Sequence, residues 1–206
     1  DRLDDSVPGL VAHPEIVDGA DEVRRAARRQ IRRGATQVKV FASGGVMSPT
    51  DPLDSLQLSV EEMAAAVDVA RSFNTYVMAH CHTSGAMDNA LAAGIRSIEH
   101  GSILPEATAR RMKEQDAYLV PTMVILELLS RMSELPEVSR TKLSMVRGET
   151  AGSVKIAIDA GVPIGSGSDL LGPRQRRRAA EIIEKAKHMS AMDAILSATR
   201  TNAALF

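Results

Sequence analysis

The chain has 206 residues, and its 25 Lys and Arg nearly balance its 26 Asp and Glu, which leaves a formal net charge of −1. This length favours one domain, the balanced charge argues against a dedicated nucleic-acid binder, and the lack of an apolar run of about 18 residues argues against a transmembrane helix. The single cysteine, Cys81, excludes an intrachain disulfide framework and is typical of a reducing, cytoplasmic compartment.

Five short apolar runs, rich in Val or Ile and bounded by turn residues, predict β-strands. They cover residues 37–41, 75–79, 96–98, 117–121 and 162–165. Apolar residues at helical spacing predict helices over 21–33, 59–72, 84–93, 105–114 and 190–205. Strands that alternate with helices in this way indicate βα units and a parallel sheet.

The predicted helix boundaries carry their own signals. Ser59 is followed three residues later by Glu62, which is the pattern of a capping box at a helix start. Gly34, Gly94 and Gly161 each lie between a helical stretch and the next apolar run. We expect these glycines to end their helices in the left-handed conformation.

Four ionisable side chains lie within or directly after predicted strands: Lys39, His80, His100 and Asp169. The carboxyl ends of parallel strands meet at one face, and in barrels that face carries the catalytic groups. The four side chains are therefore expected to share one cleft, which favours part of a (β/α)8 barrel over a doubly wound sheet. The glycine-rich segment 43–45 lacks the lysine of a phosphate-binding loop and is a weak phosphate signal.

Each of these residues also has a plainer interpretation. Lys39 could be a surface residue, but on a strand buried on both faces it would enter the barrel interior, where carbamylation would make it an anionic metal ligand. A single histidine is more often a core residue than a ligand, and the pairing of His80 with His100 at equivalent strand ends favours metal binding. Asp169 could cap the following segment, or accept a proton from an activated water.

Several motifs resemble the amidohydrolase superfamily over nearly the whole chain, from about residue 8 to residue 204. They are VKVFASGGVMSPTDP around Lys39, VMAHCHT with His80, SIEHG at 97–101, LVPTMV at 119–124 and GSGSDLLG at 165–172. Within the superfamily, the chain is most similar to Xaa-Pro dipeptidases and related metal-dependent carboxypeptidases. The resemblance implies an α/β fold of the (β/α)8 TIM-barrel type, of which this chain would cover about strands four to eight.

The resemblance also implies roles for individual residues. Lys39, in carbamylated form, would bridge two divalent metal ions, usually zinc, and His80 and His100 would bind one of them. Asp169 would bind metal and act as the general base that passes a proton to the leaving amine. His82 lies two residues after His80 and is interpreted as a substrate contact that polarises the scissile carbonyl, with a third metal ligand as the alternative.

One feature of the family is missing. Its members carry a His-x-His pair on the first barrel strand, but the only histidine before Lys39 is His13, and His188 falls in a predicted late helix. The chain is therefore expected to be one barrel domain over 1–206 without the first strands and the flanking β-sandwich. Either it is an excerpt of a longer polypeptide or another chain completes the barrel.

The resulting prediction is a hydrolase that cleaves a peptide-type C–N bond in dipeptides or N-acyl amino acids by means of a metal-bound hydroxide. A cyclic-amide or lactone hydrolase, a deaminase, and a catalytically incomplete barrel fragment remain open alternatives. Arg174 and the run 176–178 are either a solvated helix start or a means of capturing a substrate carboxylate. The expected partners are a small-molecule or dipeptide substrate and further copies of the chain, with no nucleic acid and no membrane.

Overall fold

The computed structural model describes residues 14–206, in which four parallel strands form a single sheet with the order β1-β2-β3-β4. The strands are β1 (Val38–Phe41), β2 (Val77–Cys81), β3 (Ser97–His100) and β4 (Tyr118–Val120). These confirm the first four predicted strands. The fifth apolar run contributes only a parallel bridge between Leu119 and Ile164, flanked by a hydrogen bond of 2.8 Å from the Gly165 N–H to the Leu119 carbonyl.

Helices precede, connect and follow these strands. Those before and between the strands are α1 (Ala20–Arg32), α2 (Val60–Ser72), α3 (Ser84–Ala92) and α4 (Glu106–Glu114). Those after β4 are α5 (Met123–Ser130), α6 (Glu137–Asp159), α7 (Ala180–Lys185), α8 (Ala191–Leu196) and α9 (Asn202–Leu205), with a 3-10 helix at Gly172–Arg177 and a π-helical turn at Ser197–Thr201. The five predicted helices are confirmed, and the last of them runs through the π turn, whereas α5, α6 and α7 were not predicted.

The strand order follows the chain order without reversal. A doubly wound sheet reverses its order at a switch point, and no reversal occurs among the four strands described here. The sheet is therefore an arc of a TIM-type barrel, as predicted. No helix within residues 14–206 combines the length and apolar character needed to cross a membrane.

The local signals at the helix ends are confirmed. The Ser59 side chain accepts a hydrogen bond from the Glu62 N–H, and the Glu62 carboxylate accepts one from the Ser59 N–H at 2.8 Å, which completes the capping box. Gly34, Gly94 and Gly161 all have positive φ, at 95°, 85° and 72°. The helices therefore end where the glycines permit a left-handed turn.

The main core lies between the sheet and helices α1 to α4. Val38 and Val40 point towards these helices, whereas Lys39 and Phe41 point to the opposite, exposed side of β1. Alanine and methionine fill much of this core, and Met63 and Met87 are fully buried. Because successive residues of a strand face opposite sides, the residues that share a side with Lys39 line what would be the barrel interior.

A second, smaller core fastens the loop between β1 and α2 to helices α5 and α6. Val46 and Leu53 of the loop pack with Leu126, Leu143 and Val146 of the helices. The ammonium group of Lys142, on α6, is also bound to this loop through the carbonyls of Gly45, Ser48 and Asp51. These contacts place the loop over the carboxyl ends of the strands.

Candidate functional site

Three histidine rings lie together at the carboxyl ends of β2 and β3. The ring centroids of His80 and His100 are 4.5 Å apart, those of His80 and His82 are 4.7 Å apart, and those of His82 and His100 are 4.9 Å apart. All three residues are buried, with exposed fractions of 6% or less. We call His80, His82 and His100 the histidine cluster.

Each ring of the histidine cluster is held by an oxygen atom. His80 Nε2 lies 3.3 Å from the Gly44 carbonyl, His82 Nδ1 lies 3.0 Å from Ser102 Oγ, and His100 Nδ1 lies 2.6 Å from Thr122 Oγ1. Metal-binding histidines characteristically use one ring nitrogen for such an oxygen partner, which orients the ring and leaves the other nitrogen for the metal.

Burial keeps the imidazoles of the histidine cluster uncharged. It lowers the pKa of His80 to about 4, with the Lys39 ammonium adding to the effect, and the pKa of His82 to about 3, with His80 adding to it. Burial likewise places the pKa of His100 well below its ordinary value. Neutral imidazole is the form that binds metal ions, so near pH 7 the rings already have the required protonation state.

The backbone of His100 explains how its ring reaches the other two. In the sheet register, His100 is paired with Cys81 and Glu99 with His80, so simple alternation would direct the His100 ring away from His80. His100 instead has a left-handed φ of 72°. This conformation is costly for a residue with a Cβ. It breaks the alternation of the strand, and the His100 ring faces the other two histidines.

Lys39 shares the open side of the sheet with His80, because its register partner is Met78 and that of Phe41 is His80. The Lys39 ammonium is 5.7 Å from the centroid of the Phe41 ring. The expectation that β1 is buried on both faces is wrong, since Lys39 is exposed. The physical reason is that α1 and α2 pack against β1 on the side of Val38 and Val40, whereas Lys39 and Phe41, on the other side, keep exposed side chains.

Asp169 is an exposed residue in the partly buried loop after the fifth apolar run, and it also has a left-handed φ, of 52°. Desolvation raises its pKa above the ordinary value, and the Lys39 ammonium acts in the opposite direction. The same ammonium lowers the pKa of His80 and His100, for which burial is the larger influence. His80, His100 and Asp169 are thus each within electrostatic reach of Lys39.

Sequence reasoning missed a buried carboxyl group in this site. Glu99 faces the same side of the sheet as His80 and accepts a hydrogen bond of 2.5 Å from Ser97 Oγ. Burial raises its pKa to about 7, against the lowering effects of Ser97 and Lys39. Glu99 was visible in the SIEHG motif, and the two-residue spacing from Ser97 would have placed both side chains on one face.

The loop after β1 contacts two residues of the histidine cluster. Ser43 Oγ accepts a hydrogen bond of 3.0 Å from the His82 N–H, and the Gly44 carbonyl contacts His80. An added Cβ at Gly44 would lie 2.0 Å from the Pro52 carbonyl oxygen. Only glycine therefore fits this closely folded loop, which gives a structural role to the glycine-rich segment that was a weak phosphate signal.

The remaining sequence predictions fall elsewhere. His13 lies outside the described residues. His188 was expected in a helix, but it is exposed in the turn that follows α7. Arg174 and the run 176–178 lie on the exposed surface around the 3-10 helix, as the solvated interpretation expected. Cys81 is fully buried, in agreement with its interpretation as a small core residue.

The residues present suit a transition metal in their chemistry. The histidine cluster supplies neutral imidazoles with oriented rings, and imidazole is a common ligand for zinc. Among residues 14–206, no three His, Cys, Asp or Glu side chains are grouped so that they could hold a metal ion by themselves. The described part of the chain therefore provides donors of the right type without a complete set of unmodified side-chain ligands.

Comparisons with known proteins give a consistent result. A model of the Amidohydrolase family matches residues 3–206. Ochratoxinase from Aspergillus niger is 41% identical over 156 residues, which cover 75% of this chain and 32% of that protein. The chain thus spans about a third of the length of this curated relative.

Solved structures show the same likeness. A prolidase in complex with N-methylphosphonate-L-proline is 39% identical, has a TM-score of 0.88, and is matched over 96% of this chain and 52% of its own. A Xaa-Pro dipeptidase with bound methionine in the active site is 31% identical, with a TM-score of 0.84 and coverage of 92% and 48%. The chain therefore spans about half the length of these solved proteins.

Proposed function

The chain belongs to the amidohydrolase family, and we propose that it carries the metal-binding and proton-transfer residues of a hydrolase that cleaves the C–N bond of dipeptides or N-acyl amino acids. The observation that carries the proposal is the histidine cluster, in which three buried, neutral imidazoles lie together, with Lys39 on the same side of the sheet as His80. The names of the prolidase and the Xaa-Pro dipeptidase favour Xaa-Pro dipeptides as substrates.

We propose that His80 and His100 bind a divalent metal ion, which we expect to be zinc, and that carbamylated Lys39 and Asp169 complete its ligands. His80 would use Nδ1 and His100 would use Nε2, because the other nitrogen of each ring faces a carbonyl or a hydroxyl oxygen. When bound, such a metal lowers the pKa of water and polarises a carbonyl. The exposure of Lys39 leaves its amine accessible to CO2, which the carbamylation requires.

Asp169 is the proposed general base. Its carboxylate would accept a proton from the attacking water as the new C–O bond forms, and would return that proton to the nitrogen as the C–N bond breaks. A general base works best when its pKa approaches the working pH. Desolvation moves the pKa of Asp169 in that direction, because it raises the pKa above the usual range.

His82 has two proposed roles that experiment can separate. As a neutral imidazole with Nδ1 bonded to Ser102, it could donate a hydrogen bond from its other nitrogen to the scissile carbonyl. The alternative role, a third metal ligand, is less favoured, because within residues 14–206 no three His, Cys, Asp or Glu side chains are grouped to hold a metal ion by themselves. His82→Gln should lower kcat at unchanged metal content in the first case, and should weaken metal binding in the second.

The test of the proposed function compares Asp169→Asn with the wild-type protein. We expect the variant to lose about 100-fold to 10,000-fold in kcat, while a bound metal detected by elemental analysis remains. Asp116→Asn is the matched control, because Asp116 is exposed and has a left-handed φ of 51°, close to the 52° of Asp169. Normal turnover by the Asp169→Asn variant would contradict the role of this residue.

A substrate panel separates the remaining candidate functions. Hydrolysis of Xaa-Pro dipeptides or N-acyl amino acids supports the proposal, whereas hydrolysis of lactones or cyclic amides, or release of ammonia, indicates another reaction of the same family. A protein that binds no metal and hydrolyses none of these compounds is a scaffold rather than an enzyme.

A further inference from the structure

Two charged residues outside the histidine cluster are buried without an evident reason in the proposed chemistry. Glu181 and Lys185 lie one turn apart on α7, with exposed fractions of 1% and 0%. Burial of a charged group is costly unless hydrogen bonds and opposite charges compensate it. The partners of these two side chains therefore indicate what the arrangement accomplishes.

Glu181 caps the first turn of α5. Its Oε1 accepts a hydrogen bond of 3.0 Å from the Met123 N–H, and its Oε2 accepts one of 2.8 Å from the Val124 N–H. These two amides are among the donors that a helix start leaves without partners. A carboxylate at this end also interacts favourably with the helix dipole.

The usual capping residue at this position is thereby released for another contact. Thr122 is the N-cap of α5, and threonine at an N-cap normally accepts a hydrogen bond from the first turn. Here its side chain makes no such bond, and Thr122 Oγ1 lies 2.6 Å from His100 Nδ1. Thr122 also has a left-handed φ of 47°, which is rare for a β-branched residue.

Lys185 connects α7 to the segment that leads to Asp169. Its Nζ donates a hydrogen bond of 2.9 Å to the Gly165 carbonyl and a second one to Ser197 Oγ. Gly165 in turn donates its N–H to the Leu119 carbonyl of β4 at 2.8 Å. Lys185 therefore holds the start of the Asp169 loop against the end of the sheet.

We propose that Glu181 and Lys185 are a pair of positioning residues, in which Glu181 caps α5 so that Thr122 orients the His100 ring, and Lys185 fixes the segment that carries Asp169. A hydrogen bond from His100 Nδ1–H to Thr122 selects the tautomer whose Nε2 lone pair is available to a metal ion. The metal-binding part of this inference rests on the proposed function, whereas the orientation of His100 is a property of the protein alone.

The test measures the His100 tautomer in the metal-free protein by 15N NMR of the imidazole, and then the Kd for Zn2+. We expect Glu181→Gln to mix the two tautomers and to raise the Kd about 10-fold, the lower end of the range for loss of a group that supports a ligand. Thr122→Val, which removes the hydroxyl and keeps the shape, should also mix the tautomers and raise the Kd. Thr122→Ser keeps the hydroxyl and should retain the wild-type tautomer and Kd. The double variant Glu181→Gln with Thr122→Val should be no worse than Thr122→Val alone.

Glu184→Gln is the matched control, because Glu184 lies on the same helix and pairs with Lys187 at 2.6 Å on the surface. It should leave both measurements unchanged. Should Glu181→Gln fail to fold, Glu181→Gln with Lys185→Met replaces it, since this double variant leaves no unpaired buried charge. A variant at Glu181 that is less stable but retains the single wild-type tautomer overturns the proposal. A wild-type protein that binds no Zn2+ contradicts the proposed function instead, and the tautomer measurement still decides the inference.

Discussion

Gly44→Ala tests whether the loop after β1 holds the histidine cluster in place. The added Cβ would lie 2.0 Å from the Pro52 carbonyl oxygen and 2.9 Å from Ser55 Oγ. Real Cβ atoms essentially never approach other atoms within 3.0 Å, so the loop backbone must move by about 1 Å. The Gly44 carbonyl moves with it, and this carbonyl lies 3.3 Å from His80 Nε2.

Two magnitudes follow from this displacement. Overpacking at a site that cannot relax costs about 1–3 kcal/mol in the free energy of unfolding. A shift of about 1 Å in a group that positions the chemistry costs about 100-fold in kcat/KM. We therefore expect Gly44→Ala to lower the urea midpoint of unfolding moderately and to lower the kcat/KM for a dipeptide about 100-fold.

Gly148→Ala provides the matched control for this variant. Gly148 lies within α6, and an added Cβ there would meet no atom within 4 Å. Alanine is favoured over glycine inside a helix, so this variant should be more stable by about 0.5–1 kcal/mol. The reasoning would be refuted if Gly44→Ala unfolded at the wild-type urea concentration and retained wild-type kcat/KM.

Three further variants test other contacts of the fold. Lys142→Met removes the ammonium that binds three carbonyls of the β1–α2 loop and should cost about 1–3 kcal/mol in urea unfolding; unchanged stability would show that the apolar contacts of the loop suffice. Burial raises the pKa of Glu99 from 4.5 to about 7. The free energy of unfolding therefore has its full contribution from the protonated carboxyl below pH 4.5, and this contribution is lost as the pH rises to about 7. Over this interval the metal-free wild-type protein should lose up to about 3 kcal/mol relative to Glu99→Gln, and parallel curves of stability against pH for the two proteins would contradict the buried state of this carboxyl. Ser59→Ala breaks the capping box and should cost about 1 kcal/mol, with Ser72→Ala at the other end of α2 as a comparison.

Local sequence patterns predicted much of the fold because they have local causes. The capping box at Ser59 and the left-handed glycine at Gly94 depend on a few neighbouring residues, and both formed as expected. The fifth apolar run, 162–165, pairs only through one bridge at Ile164. Pairing of a strand depends on its neighbours in space, which its own sequence does not specify.

Helix α6 shows what the sequence did not reveal. No helix was predicted between residues 121 and 162, yet a 23-residue helix begins directly after its N-cap, Pro136. Its interior contains Gly148 and Gly152, which have low helix propensity. The helix is instead stabilised by packing, since its Val146 and Val154 are completely buried.

The positions of the site residues were predicted more completely than their surroundings. The rule that parallel strand ends converge placed His80 and His100 together. The direction of the His100 ring, however, depends on a left-handed backbone, which the alternation of side chains along a strand does not predict. The burial of Glu181 and Lys185 was equally invisible, because a Glu and a Lys four residues apart are typical of a solvated helix surface. Only the three-dimensional packing around α7 distinguishes the two cases.

The left-handed residues of the site impose a limit on attempts to make this protein more heat-resistant. His100, Thr122 and Asp169 each adopt a backbone that costs about 1–2 kcal/mol for a side chain with a Cβ. Glycine would relieve this cost at every one of them, but it would also delete an imidazole, a hydroxyl and a carboxylate from the site. Selection for thermal endurance would therefore favour inactive proteins at these positions, and a robust catalyst has to be sought through substitutions elsewhere.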